Sequence, residues 1–329
     1  MSNDNLEDPW IHAMRRGDFE EAWKISDALL PRLRDQDHRV VPRHQQSIWD
    51  GRSVVGKRVL LRCYHGLGDT IQFIRYAALL KRVAREVIVW VQPSLIPLLR
   101  SAEGVDRLVP LHDGDPEVEY DVDLELNELP YLFRTTVADV PAVPYLHVEP
   151  AVLPPLGKNI QSRIGLIWQS GDWDASRSIR FSTVAALADV PGIEWHMLQR
   201  DAVRAGWDGE FGVVSGGDNP LDDARVMSAL DLVISVDTMT AHLAGALGRN
   251  TWTLLPFDAD WRWMKDREDC PWYPTMRLFR QQRQGDWSGL VAEVAIELQR
   301  KLNLQELNRT ELTRTSQLSR GVSLQKQSR

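Results

Sequence analysis

Two glycines and a carboxylate, Gly66-Leu67-Gly68-Asp69, form the first stretch of the chain equipped for chemistry. The apolar run Val59-Leu60-Leu61 precedes it, and a helical pattern resumes at Thr70. Strand, glycine turn and helix in that order build a ligand loop at the carboxyl edge of a parallel sheet. Glycine lets the backbone approach a ligand where a Cβ would collide, and the free N–H groups of a helix start favour an anion. Asp69 is either only the N-cap of that helix or a carboxylate held in the ligand loop itself. The spacing matches neither G-x-G-x-x-G nor the P-loop pattern, so the usual nucleotide fingerprints are absent. Arg75, further along the helix, is a candidate anion contact, because its fork suits phosphate and carboxylate.

A second such junction lies at Ile234–Gly248, ISVDTMTAHLAGALG. Here a buried strand ends at Asp237, which with Thr238 is expected to cap the following helix. The N–H groups of Thr238, Met239 and Thr240 then offer an anion site sized for a phosphate. His242 follows one turn later, either as a ligand contact or as a satisfied, half-buried histidine. Between the two junctions, the loop at Gln169–Ser178 leads to Arg177 and Arg180, with Ser176 and Ser178 beside them. That is either a cationic clamp for a diphosphate or an exposed surface loop. The stretch Pro256–Gln281 reads as one long aromatic and charged loop, and long loops in compact domains are often functional. Its Trp261, Trp263, Trp272 and Tyr273 either stack on a sugar or base, or hold the loop down.

The elements that must position these residues follow from hydrophobic period. Residues 8–30 read as a helix pair punctuated by Gly17 and Asp18, and GDFEEA resembles half of a tetratricopeptide unit, with no second copy. Strand patterns fall at Arg58–Arg62, Val87–Val91, Arg107–Pro110 and Tyr120–Leu124, with helices at Thr70–Ala84 and Ser94–Ser101. The proline-dense segment 139–158 reads as an interdomain linker. The pattern then restarts, with strands at Arg163–Trp168, Ile193–Gln199, Gly212–Ser215, Asp231–Val236 and Asn250–Leu255. Helices are expected at Phe181–Ala188, Asp222–Leu230 and Met239–Leu247. Trp287–Leu302 reads as a closing helix capped by Asp286, and residues 303–329 as a disordered basic tail. The expected division is a helical segment and connector at 1–50, α/β units at 51–150 and 151–302, and the tail. Two α/β units in succession place a cleft between them, where small-molecule sites concentrate.

Composition narrows the classes. The 329 residues are 43% hydrophobic and 26% charged, as in ordinary globular domains. A net charge of -7 disfavours wholesale nucleic-acid binding. No apolar run is long enough to span a bilayer, and the acidic, polar N-terminus is unlike a secretory signal. Two cysteines without metal-type spacing, and eight scattered histidines, argue for a cytoplasmic setting and against a metal site.

Four motifs together resemble the glycosyltransferase family 9 domain, the ADP-heptose:lipopolysaccharide heptosyltransferase type, in the version attached to tetratricopeptide repeats. They are GLGDTIQFIRYAALL, RIGLIWQSGDWDASRSIRF, DLVISVDTMTAHLAGALG and DWRWMKDREDCPWYPTMRLFRQ, and the resemblance spans about residues 50–300. It implies a GT-B architecture, two Rossmann-like domains with the nucleotide-sugar held mainly by the second. It also implies an inverting sugar transfer that needs no metal or other cofactor. By the same resemblance, Asp69 matches the family's general base, and Asp237, Thr238 and His242 match its donor-binding segment. The Arg177–Arg180 region stands where the lipopolysaccharide enzymes typically offer a lysine. The acceptor is then a glycan, lipid or protein, and the N-terminal helices are a candidate surface for a partner protein. Two other readings share the fold: a binding module that recruits partners without catalysis, and a nucleotide-sugar epimerase.

Overall fold

The computed structural model describes residues 8–33, 41–171, 174–217 and 219–327; whatever was expected of the remaining positions lies outside it. The first sheet comprises β1 (Arg58–Arg62), β2 (Glu86–Val91), β3 (Arg107–Pro110) and β4 (Val122–Glu125). They run parallel in the order β3-β2-β1-β4. The second comprises β5 (Ser162–Ile167), β6 (Ile193–Met197), β7 (Val213–Val214), β8 (Leu232–Val236), β9 (Thr251–Leu255) and β10 (Met276–Arg280). These are also parallel, in the order β10-β9-β8-β5-β6-β7. Every residue of β8 and β9 is buried, as parallel strands covered on both faces require.

Helices α1 (Pro9–Arg15) and α2 (Phe19–Leu33) precede the sheets. Helices α3 (Leu67–Phe73), α4 (Ala77–Lys81), α5 (Ile96–Leu99) and α6 (Leu129–Leu132) serve the first. Helices α7 (Phe181–Val184), α8 (Pro220–Ser228) and α9 (Met239–Ala246) serve the second, and α10 (Trp287–Gln327) closes the chain. In each sheet the strand order reverses beside the unit's first strand, between β1 and β4 and between β5 and β8. The loops that leave β1, β5 and β8 therefore open at a topological switch point, where α/β sheets bind ligands. All three are the loops singled out by their chemistry.

Four expectations change. The helix expected at Thr70–Ala84 is split into α3 and α4 by a tight 3-10 turn, Ile74–Tyr76, and Arg75 Nε bonds the Gln72 carbonyl inside that break (2.7 Å). The long loop at Pro256–Gln281 ends in strand β10, paired with β9, so only its first part is irregular. Residues 303–327 continue α10 in place of a disordered tail; they lack proline and are rich in the strong helix formers Leu, Gln and Arg. The N-terminal helices turn much of their apolar stripe inward: Phe19, Ala22 and Trp23 are buried. Trp10 meets Trp261 edge-on (5.3 Å), Phe19 stacks on Trp272 (5.7 Å), and Trp23 Nε1 donates to the Thr135 carbonyl (2.7 Å). The pair thus braces Trp261 and Trp272 of the second unit and Thr135 of the first.

The two units meet through α3 and α9. Ile71 and Phe73 of α3 share one apolar cluster with Ala241, Leu243 and Ala244 of α9 and with Trp263 and Trp272. Gly245 makes a further approach possible, because a Cβ there would lie 2.4 Å from the ring of Tyr273. Gly171 has no atom within 4 Å of the same position. Gly245→Ala is expected to cost about 1–3 kcal/mol by overpacking, and Gly171→Ala to stay within about 0.5 kcal/mol of the parent. Urea unfolding of the two variants checks this; equal stabilities would contradict the packing described.

Candidate active site

Gly66 ends the loop that leaves β1 and is the N-cap of α3, with extended backbone (φ -65, ψ 164). Asp69 sits three residues in, and its Oδ2 accepts the Gly66 N–H at 3.0 Å. The capping role expected of Asp69 is thus real, but it is exercised from the third helical position. It occupies one carboxylate oxygen. The other, Oδ1, pairs with Arg262 from the second unit.

The loop that leaves β8 faces this one directly. A Cβ on Gly68 would lie 3.0 Å from His242 Cδ2 and 3.4 Å from Met239 Cα. Glycine at position 68 is therefore what lets the two helix starts touch. Thr238, not Asp237, caps α9: its Oγ1 accepts the Thr240 N–H at 3.2 Å. That bond removes Thr240 from the expected anion-binding amides. It leaves the N–H groups of Thr238 and Met239 without an acceptor among the described residues.

Asp237 is free of capping duty and buried, and Arg177 Nη1 stands 3.6 Å from its Oδ2. Burial and the neighbouring carboxylate of Asp260 push its pKa up to about 6, against the pull of Arg177. His242 is buried, stacked on Trp263 at 5.1 Å, with Nδ1 3.0 Å from the Tyr273 hydroxyl. Burial, with Arg262 nearby, lowers its pKa to about 3, so the ring is neutral at physiological pH.

The residue that joins these groups is one the sequence motifs did not single out. Asp260 caps the tight turn Trp261–Trp263, and Arg262 projects from that turn. Its Nη2 bonds Asp69, its Nη1 bonds Asp260 (2.9 Å) and its Nε bonds Gln72 Oε1 (2.9 Å). Its guanidinium carbon lies 4.5 Å from the Trp261 ring centre. Burial disfavours the charge, but Asp260 and Asp69 outweigh it and hold the guanidinium cationic. The alternation of Asp260 and Arg262 across the tryptophans was the one available sign that this stretch aims charge inward.

A cleft of about 1230 Å³ runs between the units. Tyr64, His65, Gly66, Gly68 and Asp69 line it from the first unit. Asp237, Thr238, Met239, Thr240, His242, Asp260 and Arg262 line it from the second. Beyond Arg177 the second-unit wall carries Gln199, Arg200, Arg204 and Asn219, none of them picked out from sequence. His65 Nδ1 is 2.9 Å from buried Glu125; burial opposes its charge, yet the bond to Glu125 prevails and raises its pKa.

Two candidate contacts are not on the cleft, and for three of the aromatic side chains one of two stated readings is decided. Arg75 is not on the cleft: it is buried and spends its donors on the carbonyls of Gln72, Pro141 and Trp272 and on the Tyr145 hydroxyl. A buried guanidinium with four such acceptors is a strut between the units. Arg180 is exposed just before α7 and does not line the cleft, so the cationic pair reduces to Arg177. Trp263, Trp272 and Tyr273 are buried, which leaves them holding the loop down with no face for a sugar. Among the described residues no group of three His, Cys, Asp or Glu side chains is placed to hold a metal.

The raised pKa of Asp237 has a stability consequence with a definite sign. The folded value lies above the ordinary 3.8, so the fold disfavours the ionised form. The cost is present above about pH 6 and absent below about pH 4. Asp237→Asn is therefore expected to raise stability by about 1–3 kcal/mol at pH 8, a gap that closes near pH 4. Urea unfolding at the two pH values measures it, and no gain at pH 8 would contradict the burial described.

No protein-family model matches the chain. It is 26% identical to Protein FlbA of Caulobacter vibrioides over 324 residues, which cover 86% of this chain. It spans about half (52%) the length of that curated relative. Among solved structures it superposes on a glycosyl transferase family 9 protein from Veillonella parvula with a TM-score of 0.55 at 14% identity, covering 77% of this chain and 99% of that one. E. coli ADP-heptose lps heptosyltransferase II gives 0.53 at 16% identity, covering 76% and 99%. No helix among the described residues is long and apolar enough to cross a membrane. Two parallel α/β units closing on one cleft, with these neighbours, give the chain a GT-B architecture.

Proposed function

We propose that the chain transfers a sugar, with inversion, from a nucleotide-diphospho-sugar to an acceptor hydroxyl on a glycan, lipid or protein. One observation carries this reading: Asp69 on the first unit faces the Asp237–Met239 helix start and Arg177 on the second, across a gap set by Gly68. Inverting transfer needs a base on one side of the sugar and positive groups on the departing diphosphate on the other. In this reading Asp69 takes the acceptor proton as the oxygen attacks the anomeric carbon. The bond from that carbon to the phosphate oxygen breaks, and its electron pair leaves with the nucleoside diphosphate. The N–H groups of Thr238 and Met239, with Arg177, receive the developing charge. His242, neutral and held by Tyr273, supports the floor of that subsite. Gln199, Arg200, Arg204 and Asn219 leave room and polar partners for the nucleoside.

Thermal unfolding with ADP, GDP, UDP, CDP and dTDP tests the donor side. A ligand at ~100 times its dissociation constant adds about 2.7 kcal/mol, which raises the midpoint by a few degrees in a chain of this size. One nucleotide is expected to do so, and Arg177→Ala to abolish the shift. Asp69→Asn is expected to keep nucleotide binding and lose transfer by roughly 10²–10⁴-fold. Silence with all five nucleotides, or full turnover by Asp69→Asn, would overturn the assignment.

A further inference from the structure

Arg262 is placed to do more than pair with Asp69. A guanidinium carries five N–H donors in a fixed plane. Three are engaged, by Asp69, Asp260 and Gln72, which leaves one N–H on each terminal nitrogen. The side chain is 14% exposed and lines the cleft. Its plane is fixed by the Trp261 ring below it, by the Asp260 cap of its own turn, and by Trp272 Nε1, which donates to the Arg262 carbonyl at 2.9 Å. The remaining donors therefore have little freedom to point elsewhere. The carboxylate of Asp69 and the open amides of Thr238 and Met239 line the same cleft, where Gly68 packs close to Met239. No other guanidinium among the described residues touches both units at this point of the cleft; Arg177 pairs only within the second, and Arg75 is spent on carbonyls.

We infer that Arg262 binds the donor's sugar-linked phosphate through its two free N–H groups while it positions the carboxylate of Asp69. The inference rests on the reading of the cleft as a nucleotide-sugar site. It makes one side chain serve both halves of the reaction: the base is held in register with the leaving group by a single rigid plane. The geometry of the fork matters here, since an ammonium supplies charge but cannot hold three partners in one plane.

Arg262→Gln and Arg262→Lys separate the two roles. Binding of the nucleoside diphosphate that shifts the parent is compared with binding of the corresponding nucleoside, which has no phosphate. Arg262→Gln is expected to weaken the diphosphate by 10-fold or more and leave the nucleoside within about two-fold. Arg262→Lys is expected to recover most of the diphosphate affinity while kcat stays at least 100-fold below the parent, because Asp69 is no longer held. That split between binding and kcat is one that a purely structural role would not produce. Undiminished diphosphate binding by Arg262→Gln, or restored kcat in Arg262→Lys, would overturn the inference and leave the donor site standing. A parent protein that binds none of the nucleotides would instead remove the donor site, and this inference with it.

Discussion

A parallel sheet exposes a usable carboxyl edge only where its strand order reverses, and both sheets of this chain reverse beside their first strand. That constraint fixes which loops can carry chemistry. The loops leaving β1, β5 and β8 open there, and they hold Asp69, Arg177 and Asp237. The docking of α3 on α9 then sets the gap between the units. It depends on small residues at the crossing: Gly68 leaves Met239 and His242 in contact range, and Gly245 admits the ring of Tyr273. Larger side chains at either place would push the two ligand loops apart.

Charge is arranged across the same gap in alternation. Arg177 stands by Asp237, Asp260 and Asp69 flank Arg262, and His65 leans on Glu125. At Asp237, burial and the neighbouring Asp260 outweigh the pull of Arg177 and raise the pKa. The neutral His242 adds a polar atom to the floor without adding charge. The N-terminal helices matter to this balance indirectly. They clamp Trp261 and Trp272, which carry the turn that aims Arg262.

Much of this was legible in the residue order because it rests on local rules. The apolar runs from Val59, Ile164 and Val233, each followed by a polar or glycine turn, announced the strands and the loops at their ends. Gly68, Asp69, Asp237, Thr238 and His242 were found by that rule and do line the cleft. The misses share a cause, which is that long-range packing decides them. Arg75 lies close to the ligand loop in sequence and read as an anion contact, yet Trp272 and Pro141, distant in sequence, supply carbonyls that its donors are spent on. Arg262 lies in a stretch with no period at all, and only the crossing of the chain back to the first unit brings it to Asp69. Thr238 took the cap from Asp237 because a hydroxyl one residue nearer the helix reaches the Thr240 N–H first. Strand β10 was hidden because Arg277 and Arg280 break its apolar run, and its pairing with β9 is settled far along the chain.

The most direct test of the central claim is a crystal structure with a bound nucleoside diphosphate. The account places the phosphates against the N–H groups of Thr238 and Met239, with Arg177 and Arg262 in contact and Asp69 facing them across open space for a sugar. Phosphates bound on the first unit, or at any site away from the start of α9, would contradict it.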